Sequence, residues 1–332
     1  MEITGRNVND TLEDAIWRLK AGKYEPEASR NGRVLAFPEP VMTTYLKPEE
    51  RVVFSGLRDA NPIFHLLESI WMLAGREDVG FLKMFNSTIS NFSDNGDTFN
   101  AAYGKRWRSH FKFDQLSAVI ETLRADPKSR QAVVQMWDAQ DFNKPTKDKA
   151  CNMSIVFDCR GGKLNMTVMN RSNDLWWGAY GANAVHMSFL QEFVAHSVEM
   201  PIGVYRQFSN NLHLYLDVYD GQSFIDNPMP LSNCNYYRAD TVAALPIMLN
   251  ADYRGFLRDC EKFCDNPFSH VAEYTHPFFL AVAHPIAMVS RVRKADGGTG
   301  KGWAARIQAS DWRLATLEWI DRRELKKQSM SA

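Results

Sequence analysis

Apolar positions recur along the chain with two periods, and each period predicts a class of element. Residues 62–75, Pro-Ile-Phe-His-Leu-Leu-Glu-Ser-Ile-Trp-Met-Leu-Ala-Gly, predict a helix with Pro62 in its first turn and Gly75 at its C-cap. Glu68 stands in the apolar middle of it. Leu116 to Arg124 predicts a second, amphipathic helix, stopped by Asp126 and Pro127. Strand-like runs follow at 132–137, 153–159 and 164–169; the last two are joined by Arg160-Gly161-Gly162-Lys163 and read as a β-hairpin. Ala184 to Ser197 predicts a long apolar helix, 212–215 a short strand, and 251–264 and 310–327 further helices. The order is that of an α+β chain with a mixed, mostly antiparallel sheet. No Gly-x-Gly-x-x-Gly follows a strand, so a Rossmann domain has no support.

The chain has 332 residues, ample for a sizeable core. We read 1–332 as a single domain, with a motif-bearing core at about 60–220 and a C-terminal helical extension at about 250–332. Lys+Arg and Asp+Glu are 39 each. A zero balance argues against coating DNA or RNA through bulk charge, but leaves room for a small anion held by a local cluster. No apolar run is long enough to span a bilayer. Met1 to Arg6 has no basic region followed by an apolar stretch, so the expected compartment is the cytoplasm, or the host's for a phage-encoded chain. The five cysteines (Cys151, Cys159, Cys234, Cys260 and Cys264) fit free thiols rather than disulfides. Cys260 and Cys264 sit i,i+4, but no Cys/His pair at zinc spacing lies nearby, and no metal is expected. Gly297 to Gly302 resembles half a phosphate loop with a misplaced lysine and reads as a surface loop.

Three features could carry chemistry. The stretch 170–183, Asn-Arg-Ser-Asn-Asp-Leu-Trp-Trp-Gly-Ala-Tyr-Gly-Ala-Asn, crowds polar residues between an apolar strand and an apolar helix. It reads either as a capping loop with core tryptophans or as a loop for a planar, anionic ligand. In the second case Arg171 and Ser172 take a phosphate and an Asn amide reads a base edge. Cys151 starts a strand, where a thiol is both held and exposed and nearby arginines favour the thiolate. Glu68 in an apolar face suits proton shuttling, or else a structural hydrogen bond.

Together these pieces resemble thymidylate synthase and its relatives, the pyrimidine-nucleotide hydroxymethylases. The resemblance rests on an ordered set: Glu68 to Trp71 with Gly75; Tyr103-Gly104-Lys105-Arg106-Trp107-Arg108; Asp126-Pro127-Lys128-Ser129-Arg130; Cys151; Gly162-Lys163-Leu164; Arg171-Ser172-Asn173-Asp174; Asn183; and His213-Leu214-Tyr215. Each motif is weak alone, and the ordered set, over roughly 60–220, is highly specific.

The resemblance implies an α+β fold whose large sheet forms a homodimer interface, with a pyrimidine nucleoside monophosphate and 5,10-methylenetetrahydrofolate as ligands. It implies that Cys151 adds to C6 of the base and that Glu68 relays protons through ordered water. Tyr103 and Asp174 join them in the catalytic set, and Asn183 reads the base edge. Arg171 and Ser172 bind the phosphate, Arg130 reaches it across the dimer interface, and His213 and Tyr215 hold the sugar hydroxyl. Asp174 and Trp71 face the folate.

The departures bear on the product. Asn152 stands where the synthases have His, Ala150 where they have Pro, and Arg130-Gln131 where they have paired arginines. The loop from Gly178 to Asn183 is one residue longer. Residues 88–94, Thr-Ile-Ser-Asn-Phe-Ser-Asp, lack the tryptophans that keep the synthase site dry, and the short apolar closing tail is absent. Small polar Ser90 and Asn91 favour water at C5, hence hydroxymethylation over methylation. Asn183 favours uracil over cytosine, so the expected reaction is dUMP to 5-hydroxymethyl-dUMP. The alternatives are a thymidylate synthase, a dCMP or CMP hydroxymethylase, and a non-catalytic nucleotide- or RNA-binding protein.

Overall fold

The hairpin expected around Gly161 and Gly162 lies in a six-stranded mixed sheet. In the computed structural model, which describes residues 1–218, 221–226, 236–269, 273–295 and 297–331, the strands are β1 (Glu2–Gly5), β2 (Glu27–Ser29), β3 (Gly32–Ala36), β4 (Val41–Tyr45), β5 (Val133–Gln135), β6 (Asn152–Asp158), β7 (Leu164–Asn170), β8 (Asn173–Asp174), β9 (Ile202–Ser209) and β10 (Leu212–Tyr215). The large sheet runs β1-β4-β9-β7-β6-β5, and a smaller one runs β2-β3-β10-β8. The smaller sheet was not expected. Its β8 is two residues long, too short to leave a periodic signal, and it pairs in parallel with β10, setting Asp174 opposite His213.

Strand alternation gives the large sheet two faces. One buries a row formed by Thr43, Gln207, Val168 and Ile155. The other carries a row of Met42, Phe208 and Met169 at intermediate exposure. A register shift between Asn152 and Ser154 marks a β-bulge. It turns Met153 outward, buries Asn152, and re-aims the strand entry at Cys151.

The Pro62–Leu73 helix starts on Asn61, whose side chain accepts from the Phe64 N–H. It is buried along almost its whole length, Glu68 excepted. It packs on the Asn183–Ser197 helix, which is likewise buried along almost its whole length although it carries polar residues such as His186, Gln191 and Glu192. Gly104, in the Tyr103–Arg108 helix, allows close approach: a Cβ there would lie 2.0 Å from the Met72 carbonyl oxygen.

The C-terminal part is less an extension than a wall of the core. Phe256, Phe278, Phe279 and Trp312 pack behind Phe189 and Phe193, and one apolar cluster runs from Ile3 to Ile320. Arg51 and Glu192 form a buried ion pair beneath it. Tyr237 donates to Asp311 at 2.8 Å. Lys301 from the Gly-rich segment pairs with Asp321 on the surface. Cys260 and Cys264 are buried, and Cys234 lies outside the described residues. Among the described residues no group of His, Cys, Asp and Glu could hold a metal ion, and no helix is long and apolar enough to cross a membrane.

Candidate active site

The stretch 170–183 is not a loop. After β8 it winds into a helical segment, Leu175–Ala182, that kinks at Tyr180 and Gly181, whose backbones are not helical, before the Asn183–Ser197 helix begins. Buried Leu175, Trp176, Ala179 and Tyr180 anchor it to the core. Asp174 caps the segment by accepting from the Trp177 N–H.

Cys151, Glu68, Tyr103, Ser172, Asp174 and Asn183 all line one cavity of about 530 Å³. They come from five separate segments of the chain. Asn86, Thr88 and Asn91 add a polar wall, and Phe64, Ile89, Phe92 and Trp177 an apolar one. Ser90, expected with Asn91, is not part of it. A second space of about 290 Å³ shares Glu68, Tyr103, Cys151 and Asn183 and reaches Trp71. Trp71 itself is buried with its indole N–H on the Asp78 carbonyl.

The Cys151 thiol does not match its expectation of a favoured thiolate. Burial raises its pKa, and the Arg171 cation, whose Nη2 lies 3.8 Å from Sγ, only partly offsets this. Arg171 is also not free for a phosphate through every donor. Its Nε donates to the Ala150 carbonyl at 2.9 Å and its Nη2 to that of Lys149 at 3.2 Å, so it braces the chain before Cys151. Burial likewise holds the Tyr103 phenol well above its usual range.

Burial pushes the Asp174 carboxyl up to about 6, against the pull of the Trp177 and Trp176 N–H groups. Among the described residues its buried Oδ1 makes no hydrogen bond of good geometry, so it can accept one.

Arg130 is exposed and touches neither space. His213 is bound through Nδ1 to Asn211 Oδ1 at 2.7 Å, and burial lowers its pKa. Its ring meets Tyr215 edge-on at 5.0 Å. Both stand beside Asp174 rather than in the cavity wall. Asn152 is buried, with its Nδ2 on Met187 Sδ at 3.9 Å.

Three further groups were not anticipated. His186 Nε2 lies 3.2 Å from Glu68 Oε2, misaligned for a hydrogen bond and with no other partner. It sits one turn after Asn183, a spacing that could have flagged it. His65 lines the large cavity and is kept neutral by burial, with Arg58 and His186 adding to the effect. At an adjoining opening, lined by Phe64, His65 and Trp177 as well, Arg322, Arg323 and Lys326 converge on Asp59 at 3.1, 2.5 and 2.8 Å.

A thiol, a carboxylate and an amide on one cavity of an α+β fold are the groups that a group-transfer site requires. The thymidylate synthase family model matches residues 54–229. A deoxyuridylate hydroxymethyltransferase of Pseudomonas phage M6 is 42% identical over 97% of this chain and 94% of its own. One from Bacillus phage SP01 is 43% identical over 54% of this chain and 50% of its own. The crystal structure of thymidylate synthase from T4 phage superposes with a TM-score of 0.53 at 20% identity, over 66% of this chain and 80% of that one, which speaks to the fold. The chain belongs to the thymidylate synthase family.

Proposed function

We propose that the protein converts dUMP to 5-hydroxymethyl-dUMP with 5,10-methylenetetrahydrofolate as one-carbon donor. The observation that carries this is the convergence of Cys151, Glu68 and Asn183 on one cavity with a polar wall at Asn86, Thr88 and Asn91. The names of the phage relatives point the same way.

The cavity fits a folate. The orphaned Asp174 Oδ1 suits the ring N–H groups of a pterin, and half-exposed Trp177 and Phe92 offer flat apolar contact. Arg323 and Lys326 at the adjoining opening suit its carboxylate tail. The bound folate supplies a one-carbon unit for C5 of the base.

The chain's residues do the rest. Cys151 adds to C6 and raises electron density at C5. Its thiol is protonated at rest, and Arg171 stabilises the thiolate as it forms. Glu68 takes the C5 proton through water held in the polar part of the cavity. The same wall admits the water that completes the hydroxymethyl group. Ser172 takes the phosphate, joined by Arg171 and by Arg130 of a second copy of the chain. His213 and Tyr215 hold the sugar. Asn183 pairs with the uracil edge. The half-exposed row of Met42, Phe208 and Met169 on the large sheet suits a homodimer.

Incubation with dUMP and methylenetetrahydrofolate, with the product identified by mass, tests the proposal. The expected result is hydroxymethyl-dUMP without dihydrofolate. A methylated product with stoichiometric dihydrofolate favours the second reading, a thymidylate synthase, which the apolar wall at Ile89 and Phe92 supports. No C5-modified product overturns both.

A further inference from the structure

Asn183 is an amide, and an amide reads uracil in one orientation and cytosine in the flipped one. Uracil shows an N3–H donor beside an O4 acceptor; cytosine shows a bare N3 and an amino donor. What fixes the orientation lies behind Asn183, in buried groups of both sheets.

The chain of contacts starts at a group with no choice of polarity, the carbonyl of Ala179. Two donors reach it: Tyr45 Oη at 2.6 Å and Gln207 Nε2 at 2.8 Å. Burial keeps the Tyr45 phenol protonated, and its one proton lies on Ala179. Tyr45 can therefore only accept from Gln207 Nε2, at 2.5 Å. Both neighbours of that end of Gln207 demand an NH₂ group. The other end must be the carbonyl oxygen, and Tyr205 Oη donates to it at 3.4 Å.

Gln207 Oε1 can accept but not donate, so Asn173 must face it with Nδ2, at 3.2 Å. Ser209 Oγ accepts the other Asn173 proton at 3.1 Å. Asn173 Oδ1 is then turned to Asn183, and Asn183 must answer with Nδ2, at 3.1 Å. The polarity of each amide follows from the one before it and not from which atom was drawn as nitrogen. Gln207, Asn173 and Tyr45 are all buried, so a flip strands donors or acceptors away from water, a cost on the order of 1 kcal/mol or more per group.

We propose that Asn173 and Gln207 are the positioning residues for base choice: anchored on the Ala179 carbonyl, they lock Asn183 with its oxygen and its second N–H toward the ligand, the orientation that pairs with uracil. The inference rests on the functional reading above. Gly178 belongs to the same device. A Cβ at that position would lie 2.3 Å from Asn173 Oδ1 and 3.2 Å from Asn183 Nδ2, so the absence of a side chain leaves the last link its room.

The test measures binding and kcat/KM for dUMP and dCMP, side by side, in the wild type, in Asn173→Ser and in Gly178→Ala. Gly178→Ala crowds the last link from outside, its Cβ displacing Asn173 Oδ1 from Asn183 while every polar group of the relay is kept, so it answers the question if Asn173→Ser folds poorly. In either variant the dUMP-to-dCMP preference should fall by about tenfold. It should fall in a particular way: dCMP binds more tightly than to the wild type, while dUMP weakens modestly. A merely structural role weakens both nucleotides alike and leaves the ratio unchanged, and that result overturns the relay while the functional reading stands. A wild type that prefers dCMP, or binds neither nucleotide, overturns the functional reading and the relay with it.

Discussion

Glu68 Oε2 and His186 Nε2 face each other at 3.2 Å across the packed Pro62–Leu73 and Asn183–Ser197 helices. The imidazole is almost wholly shielded, while the carboxylate opens on the cavity. On the proposed mechanism a carboxylate base thus has an imidazole close behind it on the dry side while it opens on the wet side.

Replacing that partner should therefore affect the chemistry more than binding. In His186→Leu, kcat is expected to fall roughly tenfold to a hundredfold, with dUMP affinity within a few-fold of wild type. Release of tritium from C5 of labelled dUMP reads the step directly. An unchanged release rate would show that Glu68 works without His186.

Cys151→Ser should abolish turnover and keep nucleotide binding. On the proposed mechanism the change removes the group that adds to C6 and leaves Ser172 and Asn183 in the cavity. Calorimetry with dUMP and a product assay on the same sample decide it. Residual turnover near the wild-type rate would place the nucleophile elsewhere.

The cations around Asp59 outnumber it three to one. Changing Arg323 and Lys326 together to Ala should raise KM for a folate bearing several glutamates about tenfold and leave kcat unchanged. The effect should shrink at high salt, because these groups are partly exposed. Equal KM values for one and for several glutamates in the wild type would count against the assignment.

Asp311 carries a pH signature. Burial pushes its carboxyl up to about 6, against the hydrogen bond from Tyr237. The folded protein thus holds this proton more tightly than the unfolded chain does. Its contribution is present in full below the ordinary carboxylate value and is lost as pH rises through about 6. Asp311→Asn keeps an acceptor for Tyr237 and removes the titration. Urea unfolding at pH 5 and pH 7.5 should show a smaller loss of stability with rising pH in the variant than in the wild type, by about 1.4 kcal/mol across that window. Parallel pH profiles would refute the assignment.

Local patterns made much of the frame legible. Alternation and a Gly-Gly turn gave the β6–β7 hairpin, and a proline, an apolar run and a glycine gave the Pro62–Leu73 helix. The helical segment Leu175–Ala182 was not legible, because the non-helical backbone at Tyr180 and Gly181 interrupts its period. The short strands β1, β4 and β8 left no usable periodicity. The site was legible as a set of residue types in order, but not in its wiring. That Arg171 braces the carbonyls before Cys151, and that burial outweighs its charge at the thiol, depends on depth and direction. Tyr45, Asn173 and Gln207 lie in three strands far apart in sequence, and only the register of β4 and β9 brings two of them together.

That register has a consequence of its own. Gln207 faces Thr43 across the β4–β9 pair and lies on the buried side of the sheet because β9 alternates in phase with its neighbours. A slip by one residue would turn Gln207 outward and present Arg206 or Phe208 in its place. Fidelity toward one letter of the genetic alphabet is thus anchored in how two strands align as the chain folds. A shift from one base to the other needs a change in the amide at the ligand or in the relay behind it, with the strand phase that the core requires kept.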